Sequence, residues 1–224
     1  GLQALLRAFD RWKLPTAQRQ ELLLPFLMHD TWIGRYEAWQ ALVKLGRTPP
    51  WPAAPPPTEA EAKVLAEAER LLASPDRPVR LQLSLSGGRR LVLRLDARVA
   101  PLNVANLVTL ARRRFFDGTT FHRVVPDFVV QGGDPTATGS GGPGFALPAE
   151  PAALADGTGY LAGGVGIADA GRDSGGSQWF IMHSRAPHLD GRYTWIGAVE
   201  KGQAAADALL VGDRVERAVV ELDP

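Results

Sequence analysis

From Val79 the chain alternates: Val79, Leu81, Leu83 and Leu85 are apolar, while Arg80, Gln82, Ser84 and Ser86 between them are polar. A period of two sends successive side chains to opposite faces of a strand. With Gly87-Gly88 as the turn into Leu91, Leu93 and Leu95, the pattern predicts a β-hairpin with one buried face. The period then changes to that of a helix. Pro101 to about Arg114 carries Val104, Leu107, Val108 and Ala111 inward, with proline at the first position, where its missing N–H is no loss. The remainder is glycine-rich and strand-like, with one short helix near Gln203 to Leu210. Short strands in number with two helices predict a mainly β fold, a closed or nearly closed barrel.

The first third follows a period near 3.6. Trp32, Tyr36, Trp39, Leu42 and Val43 share one face, Gly46 stands where a C-cap is expected, and the leucine-rich run Gln18 to Met28 precedes them with Pro25 inside. This predicts a helical hairpin over residues 1–46, joined around His29 and Asp30. Arg47 to Pro57 then holds six prolines, a semi-rigid linker or strap. Thr58 and Glu61 form a T-x-x-E capping box before an amphipathic helix with Val64, Leu65, Ala68, Leu71 and Leu72, expected to pack on the following domain. The domains read as 1–46, linker and helix 47–78, and 79–224, the last expected to fold alone. The phrase Asp30 to Gly46, with Arg35, Ala38 and Leu42, resembles one unit of a HEAT-type repeat. Such units need neighbours, so the resemblance implies a cut at Gly1 inside a longer array and leaves room for a protein partner.

Composition narrows the function classes. The 25 basic and 24 acidic residues give a net charge of +1, too little field to recruit nucleic acid or anionic membrane. There is no cysteine, which excludes disulfides, thiolate nucleophiles and Cys-ligated zinc. No apolar run reaches the length of a membrane span. A monomer is expected, and both cytoplasm and cell envelope stay open as compartments.

The segment FHRVVPDFVVQGGDP, Phe121 to Pro135, sets an arginine, a phenylalanine and a glutamine ahead of a tight Gly132-Gly133 turn. With SQWFIMHSRAPHLDGRYTWIGAVEKG, Ser177 to Gly202, and with FFDGTTFHR and GGVGIADAG, it resembles the cyclophilin family of peptidyl-prolyl cis/trans isomerases across residues 79–224, in a bacterial-like form. The resemblance implies an eight-stranded antiparallel closed barrel capped by two helices, with a peptide groove on its outer face. It implies catalytic roles for Arg123, Phe128 and Gln131. Phe180, Leu189 and Tyr193 would bound the proline pocket with Val129, and Ala168, Asp169, Gln178 and His188 would line the groove beside it. No cofactor and no metal is implied. The partners would be proline-containing peptides or unfolded chains. The function expected is acceleration of rotation about X-Pro bonds in protein folding; the alternative is a binding or scaffold module on the same fold.

Four positions depart from the usual family pattern. Val129 stands where methionine is common, Asp169 where asparagine is, His188 where many members have tryptophan, and Tyr193 where many have histidine. The tryptophan is linked to tight cyclosporin binding, so weak inhibition is expected here. Blander readings compete. Arg123 alone would be a surface strand residue, Phe128 and Phe180 ordinary core, and Gln131 a backbone partner at the turn. His183, His188 and Asp190 make a poor zinc pattern. Ser177, His188 and Asp190 lack the G-x-S-x-G elbow of a hydrolase. The glycine runs near 138–144 and 174–177 have neither a Walker lysine nor a Rossmann context.

Overall fold

The computed structural model describes residues 2–28, 32–50, 57–152 and 159–222, without the side chains of residues 2–4, 7, 10, 32–34 and 36. It divides into two units, Gly1–Pro57 and Thr58–Pro224. In the first, helices α1 (Leu2–Trp12), α2 (Thr16–Leu23) and α3 (Trp32–Lys44) bury Phe9, Leu23, Ala38 and Leu42 together. The expected hairpin therefore has a third helix before it. Helix α2 tightens into a 3-10 turn over Leu24–Met28, because Pro25 has no N–H to continue the ladder and its ring crowds the preceding turn. A Schellman motif ends α3: Gly46 at φ +81° donates to Val43, and Arg47 donates to Leu42. Val43, expected on the packed face, is exposed, whereas Trp39 is half-buried and its indole N–H donates to the Pro49 carbonyl at 3.0 Å. The expected joint at His29 and Asp30 and the side chains of Trp32 and Tyr36 lie outside the described residues.

The second unit starts with helix α4 (Glu59–Leu72), whose Thr58–Glu61 capping box is complete. Its buried stripe is Val64, Ala68 and Leu71; Leu65 and Leu72, read as apolar-face residues, are exposed. Strands β1 (Val79–Leu85) and β2 (Arg90–Leu95) form the hairpin, with Gly87 and Gly88 both at φ +73°. In β1 the apolar residues are buried, and Gln82 and Ser84 are exposed. Helix α5 (Pro101–Arg112) buries its Val104, Leu107, Val108 and Ala111 and packs against α4 within one core. It stops two residues short of Arg114, which takes φ +60°.

The other strands are β3 (Arg123–Val125), β4 (Val129–Gly132), β5 (Gly164–Ile167), β6 (Trp179–Met182), β7 (Trp195–Lys201) and β8 (Val215–Leu222). A short helix α6 (Gln203–Asp207) follows β7 and ends before Leu210, which is exposed. The eight strands form one antiparallel sheet in the order β3-β4-β6-β5-β7-β2-β1-β8. The expected closed ladder is corrected here: the sheet curls, but β3 and β8 are not paired. The seam is bridged by residues 118–121, with Thr120 paired once to Asp134 and once to Arg214. On the β8 side main-chain hydrogen bonds reinforce the bridge: Gly118 donates to the Val215 carbonyl at 2.7 Å, Val215 to the Thr119 carbonyl at 2.9 Å and Phe121 to the Asp213 carbonyl at 2.8 Å.

Candidate functional site

Strand register gives the sheet two faces with different chemistry. Val130, Ile181 and Val165 lie opposite one another on β4, β6 and β5, and all are buried in the main core. One residue along, the other face carries the row Arg123, Gln131, Phe180, Gly166 and Trp195, each opposite the next across β3, β4, β6, β5 and β7. Side chains directly opposite share a face, so the arginine, glutamine and phenylalanine expected to form the site come together through pairing alone. Around this row a second apolar cluster gathers Val129, Phe180, Leu189 and Tyr160, with Phe128, Ala168 and Tyr193 against it.

A cavity of about 240 Å³ opens on that face. Arg123, Gln131 and Asp169 supply its charged and amide lining, and Tyr193 lines it as well. Phe128, Val129, Ala168, Phe180 and Leu189 supply the apolar walls. Phe180 is nearly buried and meets the Tyr193 ring edge-on at 6.1 Å. Arg123 is exposed, and its guanidinium carbon lies 6.0 Å from the centre of the Phe128 ring, a cation–π distance that holds the charged head over the pocket. His188 does not line the cavity; it stacks on Phe128 from outside at 5.9 Å and 20°.

Gln178 also stands behind the lining. The Gln131 side-chain amide donates to Gln178 Oε1 at 2.9 Å, and Gln178 Nε2 donates to the carbonyls of Gly139 and Gly141 at 3.0 and 2.9 Å. The glycine-rich loop is thus tied to the pocket row through two amides. Gly133, at φ +82°, is where this loop leaves β4; a β-carbon there would lie 2.3 Å from the Ser177 carbonyl oxygen, so only glycine fits. The Ser177 hydroxyl is fully buried and donates to the Gly133 carbonyl at 2.7 Å, while Asp190 pairs with Arg185 at 2.7 Å and accepts from the Tyr160 N–H. Ser177, His188 and Asp190 therefore have separate structural partners.

Asp169 sits half-buried at the rim. Burial raises its carboxyl above the ordinary aspartate range, against the Gly171 N–H that donates to it at 3.1 Å and the nearby Arg192. Asp134, absent from the expected site, is fully buried and anchors the glycine loop. The D-P-T-A-T-G spacing that follows it is an Asx-turn signal and marks this anchor in the sequence. Tyr160, also absent from the expected site, lies against Phe180 and carries no local motif.

The family model "Cyclophilin type peptidyl-prolyl cis-trans isomerase/CLD" matches residues 80–221. Peptidyl-prolyl cis-trans isomerase B of Bacillus subtilis is 42% identical over 139 residues, covering 61% of this chain and 94% of that protein. A peptidyl-prolyl cis-trans isomerase of Synechococcus elongatus is 48% identical over 118 residues, 52% of this chain and 79% of that one. Among solved structures, a cyclophilin type isomerase of Cryptosporidium parvum superposes with a TM-score of 0.58 at 24% identity, covering 66% of this chain and 99% of its own, which speaks to fold alone. The same protein in the presence of the dipeptide Ala-Pro gives 0.57. With the curled eight-stranded sheet, the outer-face pocket and a family match over more than half its length, the chain belongs to the cyclophilin-type peptidyl-prolyl cis-trans isomerase family.

Proposed function

We propose that this chain accelerates cis/trans rotation about X-Pro bonds in peptides and unfolded proteins, with Arg123 as the catalytic group. The observation that carries this reading is the cross-strand row in which Arg123 and Gln131 stand beside Phe180 at the mouth of an apolar slot. The barrier to rotation, about 18–20 kcal/mol, comes from amide resonance. No bond has to break, so no nucleophile is needed. As the amide twists, the prolyl nitrogen regains its lone pair and becomes a hydrogen-bond acceptor; a donor placed there binds the transition state better than either planar form. Arg123 supplies that donor, because a guanidinium stays charged and offers several N–H groups in a fixed fork. Phe128, Phe180 and Leu189 grip the proline ring, and Gln131 holds the adjacent peptide backbone. Val129, stiffer and shorter than the usual methionine, leaves a shallower wall. Asp169 places a negative charge beside the residues flanking proline.

The cis-to-trans rate of a short Xaa-Pro reporter peptide tests this directly. The intact chain is expected to accelerate it, and Arg123→Ala to lose one or more orders of magnitude in kcat/KM, about 1.4 kcal/mol of transition-state stabilisation per factor of ten. A folded wild-type chain that gives no acceleration would favour the second reading, a module that holds proline-containing segments; the altered positions Val129, Asp169 and His188 are what support it. In that case the helices before Thr58 become the place to seek a partner.

A further inference from the structure

One position in the cross-strand row has no side chain. Gly166 lies between Phe180 on β6 and Trp195 on β7, and a glycine there would leave a gap directly beside the wall of the proline slot. The gap is filled from outside the sheet. A β-carbon built on Gly166 would lie 2.5 Å from the Tyr160 hydroxyl oxygen, 2.7 Å from Tyr160 Cε1 and 2.6 Å from Phe180 Cζ. Tyr160 precedes β5 and is fixed at its own backbone: its N–H donates to Asp190 Oδ1 at 3.0 Å, and its carbonyl accepts from the Ala186 N–H at 2.8 Å. Its ring is fully buried and stacks on Phe180, with centroids 5.5 Å apart and planes at 25°. The phenol oxygen is buried with no hydrogen-bond partner among the described residues. A buried unpaired polar group costs about 1–3 kcal/mol, so the ring, rather than the hydroxyl, is what the site gains from this residue.

We propose that Tyr160 is a positioning residue for the isomerase: it occupies the volume left by Gly166 and holds the Phe180 ring in place against the proline slot. Tyr160 does not line the cavity, and it acts only through Phe180. Glycine at 166 and an aromatic ring at 160 form one packing unit, because neither the added methyl nor an empty space at 160 is compatible with the observed seat of Phe180. The inference rests on the isomerase reading for its catalytic consequence, and on packing alone for its structural one.

The test is a four-variant set, Tyr160→Phe, Tyr160→Ala, Gly166→Ala and the Tyr160→Ala/Gly166→Ala double, assayed for kcat/KM on an Xaa-Pro peptide and by NMR of isotope-labelled phenylalanine. Tyr160→Phe keeps the ring and drops the unpaired hydroxyl; it is expected to retain most of kcat/KM and to melt no lower than wild type. Tyr160→Ala is expected to lose roughly tenfold in kcat/KM, since sub-ångström misplacement of a positioning wall is costly, with Phe180 ring signals shifted or split between two seats. Gly166→Ala alone is expected to be similarly harmful, and the two changes together less harmful than the sum of their single effects, a coupling that general destabilisation does not produce. If Tyr160→Ala does not fold, the Phe180 signals of Gly166→Ala still show whether this packing sets the seat of the ring. Unchanged Phe180 signals in Tyr160→Ala or Gly166→Ala, or strictly additive effects, overturn the proposal. Inactive wild-type protein would fall on the isomerase reading instead, and the Phe180 spectra would still decide the buttress.

Discussion

Replacing Asp134 by asparagine should show how much of the site's support comes from one buried carboxylate. Its oxygens accept from the Thr136 N–H and hydroxyl at 2.7 and 2.8 Å, and from the N–H groups of Thr138, Gly139 and Gly141 at 3.1, 2.6 and 3.1 Å. Burial alone would raise the carboxyl pKa, but these donors outweigh it, and the group is lowered from 3.8 to about 2. At about 1.4 kcal/mol per pH unit, that difference is roughly 2 kcal/mol of folding stability. The sign follows from linkage. A carboxyl with a depressed folded pKa stabilises fully above its unfolded value, and the contribution is lost as pH falls through the folded value. Asp134→Asn is therefore expected to cost about 2 kcal/mol at pH 7, with the gap to wild type steady down to about pH 4 and narrowing toward pH 2. Urea midpoints for both proteins at pH 7, 5, 4 and 3 measure it. Equal midpoints at pH 7, or a gap as wide at pH 3 as at pH 7, would refute the argument. Because Gly139 and Gly141 also accept from Gln178, which holds Gln131, the same variant should lower kcat/KM on a proline peptide.

Asp169 has the opposite sign: its folded pKa is raised, so its contribution is present below the ordinary aspartate value and is lost as pH rises through the folded one. Asp169→Asn should therefore melt higher than wild type at pH 7 and not at pH 3, and identical melts at both would sink this. His188→Trp, at the position stacked outside Phe128, is expected to raise cyclosporin sensitivity by an order of magnitude or more; inhibition titrations of both proteins check it. A fragment from Val79 is expected to fold, yet to melt well below one from Thr58. It lacks Val64 and Leu71, whose burial is worth about 1.5–3 kcal/mol each before ordering entropy. Equal calorimetric midpoints would show that α4 adds nothing to the core.

Much of the second unit is legible because its signals are local. The strict alternation Val79–Leu85, the paired glycines at 87 and 88 and the proline opening α5 each fix an element within a dozen residues. The apolar period of α5 runs past its end, because the helix is stopped by backbone conformation rather than by a breaker residue: Arg114 takes a left-handed turn two positions after α5 ends. Helix α1 is legible too, since Leu2, Leu5, Leu6 and Phe9 repeat at helical spacing, but a two-helix hairpin over residues 1–46 whose first helix starts at Gln18 passes over it. In α4 the apolar pattern is wider than the buried one, because α5 covers only the stripe through Val64, Ala68 and Leu71. Leucine at 65 and 72 satisfies helix propensity without a partner to bury it.

The site divides along the same line. The motif around Arg123 names the pocket residues, and strand pairing explains why they meet: Arg123 to Gln131 is a hairpin distance, so the sequence interval and the spatial one nearly coincide. What holds those residues in place spans longer intervals. Gln178 reaches back to Gly139 and Gly141, Asp190 reaches to Tyr160, and Tyr160 fills a hole that exists only because Gly166 lies opposite Phe180. None of these supports leaves a periodic or compositional mark, since each is a pairing between residues that are unremarkable in their own segments. A glycine at 166 reads locally as strand weakness; beside Tyr160 it becomes the space that an aromatic ring needs. The groups that line the pocket are therefore the part of this site nearest to the sequence, and most of the groups that fix their geometry are displayed only by the folded chain.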